Sequence, residues 1–121
     1  MKQETLEWSV YQKRMEIIQT TRFFFNNNGF TEVDPPLLTP YPTLDSNIHS
    51  VRSLLHLDQK KYPMFLHTSP EHYMKKLLAA GAEKIYFLGK VFRNDECTQL
   101  HNPEFTMLEW YRTNATYHDI I

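Results

Sequence analysis

The sequence predicts an α+β fold, an antiparallel sheet flanked by helices, and three observations carry that expectation. Thr5 to Asn28 contains neither Gly nor Pro and repeats its apolar residues at helical spacing. Thr68 to Gly81 carries helix punctuation at both ends. Lys84 to Phe92 and Phe105 to Arg112 are rich in aromatic and β-branched residues, as strands are. With 121 residues, 41% of them hydrophobic and 14% aromatic, one domain with a real core is expected and wholesale disorder is excluded.

In the first element, Val10, Ile17 and Phe24 recur beside Tyr11, Met15, Ile18 and Phe25, which makes a long amphipathic helix. Asn26, Asn27, Asn28 and Gly29 tolerate the positive φ with which helices end. Phe30 to Leu38 alternates briefly and then meets Pro35 and Pro36, which cannot donate to a central ladder, so an edge or interface strand is expected. Thr39 to Asn47, with Pro40 and Pro42 among small polar residues, is a loop, and Met64 to His67 is a short strand. The helix of Thr68 to Gly81 has Ser or Thr at its start, Pro70 just inside and Gly81 at its end. The two aromatic strands read as a hairpin with a long polar loop that includes Pro103. Thr116 to Ile121 opens like the first turn of a helix, and no internal repeat or domain boundary is visible.

Thirteen Lys and Arg against fourteen Asp and Glu give a net charge of -1, which disfavours extensive nucleic-acid binding. The single cysteine, Cys97, cannot pair within the chain, and no Cys/His spacing suits zinc, so no metal site is expected. No apolar signal region and no long apolar run is present, and the expectation is a cytoplasmic protein without a membrane span.

Period-2 alternation places Phe105, Met107, Glu109 and Tyr111 on one strand face, with Phe105 and Glu109 roughly 13 Å apart. That face suits a ligand recognised at both ends. It equally suits a half-buried strand with Glu109 at the solvent margin. Arg93, Asn94, Asp95 and Glu96 end the other strand, where a guanidinium can grip a phosphate in bidentate fashion, or where the charges simply face solvent. His101 and Asn102 can donate to phosphate or base. Thr68-Ser69-Pro70-Glu71 is explained by helix capping, yet it also fixes a carboxylate that could meet an α-ammonium. His67 and His72 have no acidic partner at metal-ligand spacing and are read as structural.

Taken in order, these segments resemble a known family. Gly29-Phe30-Thr31-Glu32-Val33-Asp34-Pro35-Pro36-Leu37 looks like motif 1 of class II aminoacyl-tRNA synthetases, with Pro36 at the family's invariant proline. Phe92-Arg93-Asn94-Asp95 and His101-Asn102-Pro103-Glu104-Phe105-Thr106-Met107-Leu108-Glu109-Trp110-Tyr111 resemble motif 2 of the lysine branch. Thr68-Ser69-Pro70-Glu71 with Tyr73-Met74-Lys75-Lys76-Leu77-Leu78 resembles the same branch, most closely the elongation factor P (R)-β-lysine ligases.

The resemblance implies activation of an amino acid by attack of its carboxylate on the α-phosphate of ATP. It implies that Arg93 is catalytic at that phosphate, and that Asn94, Asp95, His101 and Asn102 hold the nucleotide while Phe105 stacks on adenine. Ser69, Pro70 and Glu71 would engage the substrate, Glu71 at its α-ammonium, and Glu109 and Tyr111 would receive the side-chain ammonium. The family's Arg-Asn-Glu reads Arg93-Asn94-Asp95 here, one methylene shorter. Motif 3, with its phosphate-binding Arg and the Mg²⁺ ligands the family supplies downstream, is not found: the glycines are Gly29, Gly81 and Gly89 alone.

The expectation is therefore an N-terminal part of a class II catalytic core over residues 1–121, inactive by itself and dimerising through the motif 1 region. Met1 stands about thirty residues before motif 1, which leaves no room for an anticodon-binding domain. ATP, a diamino acid and elongation factor P are the implied partners. A catalytic piece of a lysyl-tRNA synthetase, acting on tRNA, and an inactive nucleotide-binding or dimerisation remnant are the alternatives.

Overall fold

A computed structural model describes residues 7–94, 98 and 101–119. Helix α1 spans Trp8–Asn27, followed by the short strands β1, Thr31–Glu32, and β2, Leu38–Thr39. A hairpin of β3, Arg52–Leu57, and β4, Lys60–Leu66, leads to helix α2, Glu71–Ala79. Strands β5, Lys84–Phe92, and β6, Glu104–Arg112, follow, and a 3₁₀ turn at Tyr117–Asp119 comes last. The strands form one sheet of order β1-β5-β6 and another of order β2-β4-β3.

Both helices stop for the reason anticipated. Gly29 takes φ 77°, the N–H of Phe30 donates to the carbonyl of Phe25 at 3.0 Å, and their rings meet edge to face. Gly81 at φ 104° repeats the device, with Ala82 N–H donating to Leu77 O at 3.0 Å. Each is the terminal turn in which a left-handed residue turns the last carbonyls back onto the chain. The starts differ from expectation. Pro70 is the residue that precedes α2 rather than its first turn, and neither helix has a side-chain cap, so Thr68 and Ser69 do not cap the helix. The last residues make a single 3₁₀ turn closed by Asp119, which accepts from the Thr116 N–H and hydroxyl; Ile120 and Ile121 lie outside the described residues, as do Thr5 and Leu6 of the expected first helix.

The main sheet is mixed, not purely antiparallel. β5 and β6 pair antiparallel along their whole length, but β1 runs parallel to β5, Thr31 opposite Ile85. The second sheet and α2 lie between β1 and β5 in the chain, and a long crossover is what parallel pairing requires. The strand anticipated over Phe30 to Leu38 is thus broken by Pro35 and Pro36 into an edge strand of each sheet. Met64 to Leu66 is the end of β4, with His67 just past it, and the sequence does not announce its partner β3. Its turn, Asp58-Gln59 at φ 49° and 63°, lacks the Gly that announces such hairpins. Pro63 is tolerated inside β4 because Leu66 N–H donates to Val51 O, which sets Pro63 at a position facing away from β3, beyond the end of β2.

The alternation read along β6 is borne out by the packing. One face of the main sheet carries Ile85, Phe87 and Val91, which with Met74 of α2 form the buried core; Phe105, Met107 and Tyr111 pack on it. Burying each such side chain is worth about 1.5–3 kcal/mol. The opposite face meets α1: Phe25 stacks on Tyr86 at 4.7 Å and tilts against Trp110 at 5.5 Å. The apolar stripe of α1 is split, however. Phe25 is buried, while Val10, Ile17 and Phe24 stay 60%, 67% and 58% exposed. No helix among the described residues is long and apolar enough to cross a membrane.

Candidate active site

β6 positions three of the anticipated residues by its pleat alone. Phe105, Glu109 and Tyr111 pair with Val91, Phe87 and Ile85 of β5, so all of them point to the α2 side of the sheet. Arg93 follows β5 directly. Its N–H donates to Pro103 O at 2.9 Å, closing the mouth of the hairpin loop, and its guanidinium carbon sits 5.3 Å from the Phe105 ring centroid. A planar cation over an aromatic face is held by the ring quadrupole, so Arg93 and Phe105 form one unit at this end of the strand.

Toward the other end of β6, Tyr111 donates its hydroxyl to Glu109 Oε1 at 2.7 Å. Burial first, then this bond and the charge of Glu109 and Glu71, push the phenol well above its ordinary range. Tyr111 therefore stays protonated and donating, with Glu109 as acceptor. Glu71 opens α2 and forms an ion pair with Lys75 one turn on. Met74, between Glu71 and Lys75 along α2, is buried in the core on which Tyr111 packs.

The remaining anticipated residues are distributed around this face. Ser69 is half-buried and Pro70 fully buried just ahead of Glu71. Asn94 is exposed, and its N–H donates to His49 O at 2.7 Å, tying the end of β5 to the segment before β3. His101 is exposed and shares a 2.8 Å hydrogen bond with Thr98 Oγ1; Asn102 is exposed beside it. Asp95 and Glu96 lie outside the described residues. Among the described residues no group of three or more His, Cys, Asp or Glu could hold a metal ion, so no step is assigned to Mg²⁺. His67 is structural, as expected: it is buried, its Nε2 bonds Lys90 O at 2.8 Å, and its ring meets Phe87 edge-on.

Two residues escaped the sequence reading of the site. Lys75 belongs to the helix and to the segment that carries the family resemblance, and its spacing of four from Glu71 is a helix-surface ion-pair signal. Gly89 faces Met107 in mid-strand, and a Cβ there would come within 2.7 Å of the Phe87 ring, which lies over it.

Residues 4–121 match the family described as tRNA synthetases class II (D, K and N). The chain is 43% identical over 111 residues to the elongation factor P (R)-β-lysine ligase of Haemophilus influenzae, covering 90% of this chain and 34% of that protein. It is 40% identical over 121 residues to the ligase of Haemophilus ducreyi, covering 98% of this chain and 37% of that protein. With the elongation factor P (R)-β-lysine ligase homolog of Aquifex aeolicus, identity is 46% over 101 residues, 83% of this chain and 34% of that protein. The chain thus spans about a third of the length of these relatives. On the extent of these matches, the chain belongs to the class II tRNA synthetase family of the D, K and N type.

Proposed function

We propose that this chain carries the motif 1 and motif 2 portion of an ATP-dependent ligase that activates lysine or (R)-β-lysine and transfers it to a lysine side chain of elongation factor P. One observation carries the reading. A single strand face presents an aromatic ring with a guanidinium over it at one end and a carboxylate bonded to a protonated phenol at the other. Such a face can hold a planar base and phosphate at one end and an ammonium at the other.

In this reading Phe105 stacks on adenine, Arg93 meets the α-phosphate, and Asn94, Asp95, His101 and Asn102 hold the rest of the nucleotide. Ser69, Pro70 and Glu71 receive the α-amino end, and Glu109 and Tyr111 the side-chain ammonium. The substrate carboxylate attacks the α-phosphorus in line, forming a carboxyl–phosphate bond as pyrophosphate leaves. Arg93 offsets the charge that develops on the phosphoryl oxygens. The amine of the acceptor lysine then attacks the adenylate carbonyl and expels AMP. Mg²⁺, which the resemblance implies alongside ATP, would supply positive charge for the phosphates, and among the described residues none is assigned to hold it. The names of the relatives support elongation factor P as acceptor, and the net charge of -1 favours it over tRNA. A second copy of the chain would cover the outer stripe of α1.

The test is Glu109→Gln, which keeps shape and an acceptor but deletes the charge. Affinity for lysine and (R)-β-lysine is expected to fall by ~1.5 to 3 kcal/mol, and affinity for norleucine far less. Calorimetry on the chain extended to the length of its relatives measures all three. Equal losses would reduce Glu109 to a strand-margin residue and reject the ammonium site.

A further inference from the structure

Glu71 and Lys75 lie along the edge of α2 that borders the Glu109 and Tyr111 face, because Met74 between them is fully buried against the sheet. The neighbourhood holds two carboxylates, one ammonium and one phenol. The Tyr111 proton is committed to Glu109, and the Lys75 ammonium to Glu71. Lys75 is drawn to hold its proton by Glu71 first, with Glu109 adding to the pull.

We propose that Lys75 is an internal stand-in for the substrate's α-ammonium: it holds Glu71 until a diamino acid takes that carboxylate, and so acts as a specificity-determining residue of the amine site. The inference rests on the ligase reading. An exposed pair four residues apart on a helix is closed only about twice as often as it is open. A ligand that needs Glu71 therefore binds about two- to threefold more weakly than it would to a free carboxylate. Lysine and β-lysine need it. 6-Aminohexanoate, which has the carboxylate and the distal ammonium but no α-ammonium, does not.

The experiment compares the chain, extended to the length of its relatives, with its Lys75→Met and Lys75→Arg variants, titrating lysine, norleucine and 6-aminohexanoate at millimolar concentration and following the Glu71 and Glu109 carboxyl carbons by NMR. The expected result is lysine binding tightened about two- to threefold in Lys75→Met and unchanged in Lys75→Arg, with 6-aminohexanoate nearly unaffected. Equal tightening of both amines would mean a general charge effect and overturn the proposal. Unchanged or weaker lysine binding in Lys75→Met overturns it too, since Lys75 would then be a bystander or an orienting partner. A parent chain that binds lysine no better than norleucine rejects the ligase reading itself. A parent that discriminates while Lys75→Met does not differ from it rejects the stand-in alone. Lys75 is largely exposed, so both variants are expected to fold.

Discussion

Arg93 owes its place to three neighbours: the end of β5, the Pro103 carbonyl and the Phe105 ring. Arg93→Ala in a chain extended to its relatives' length is expected to lower ATP–pyrophosphate exchange more than tenfold and to leave lysine binding measurable. A charge-assisted contact of this kind is worth ~1.5 to 3 kcal/mol. Exchange within tenfold of the parent would remove Arg93 from the phosphate. Tyr86 offers a prediction about pH. Its hydroxyl is fully buried beside Asn26 and Glu32, and burial first, then Glu32, raise its pKa from 10.0 to about 12. The folded state thus binds that proton more tightly than the unfolded chain. The contribution is fully present below pH 10 and is lost as pH rises through 12. Denaturant midpoints between pH 9 and about 12 should fall less steeply in Tyr86→Phe than in the parent.

At the scale of elements, β5 is the piece on which both layers rest: Phe25 of α1 packs on its Tyr86, and Met74 of α2 on the opposite face. Gly89 is needed in this strand by close approach, since a Cβ would meet the Phe87 ring at 2.7 Å. Phe87 is buried and held edge-on by His67, so it cannot simply step aside. Gly89→Ala should therefore destabilise by ~1 to 3 kcal/mol through overpacking, despite the better strand propensity of alanine over glycine. A thermal melt of the variant equal to or above that of the parent would show that the ring moves freely. The extents of β5 and β6 were legible to within one residue, because buried aromatic and β-branched runs are strong signals. The β3–β4 hairpin was not, since all of β3 is exposed and its turn lacks a glycine.

For the whole molecule, surface area is the informative quantity. A compact monomer of 14.5 kDa exposes ~6,900 Å², whereas this chain exposes 9802 Å². Large apolar side chains stand in it, with Ile17, Phe23 and Phe24 on α1 and Leu54 and Leu57 on β3 all more than half exposed. Surface of this extent is what proteins cover with further structure or with a partner. If a second copy covers α1, the Ile17→Glu and Phe24→Glu double variant should sediment as a monomer where the parent sediments as a dimer. The 121-residue chain alone is expected to show little or no ATP–pyrophosphate exchange with lysine or β-lysine, because no motif 3 arginine is at hand to grip the phosphates. Robust exchange by the purified chain would refute that.

Local patterns determined where both helices stop and the period-2 face of Phe105, Glu109 and Tyr111, because turn chemistry and side-chain periodicity act over a few residues. Only the tertiary structure decided that β1 joins its sheet in parallel, that half of the α1 stripe stays open and that the Arg93 guanidinium rests over Phe105. Each of these depends on segments far apart in the chain or on what a helix face meets in space, and no local spacing specifies that.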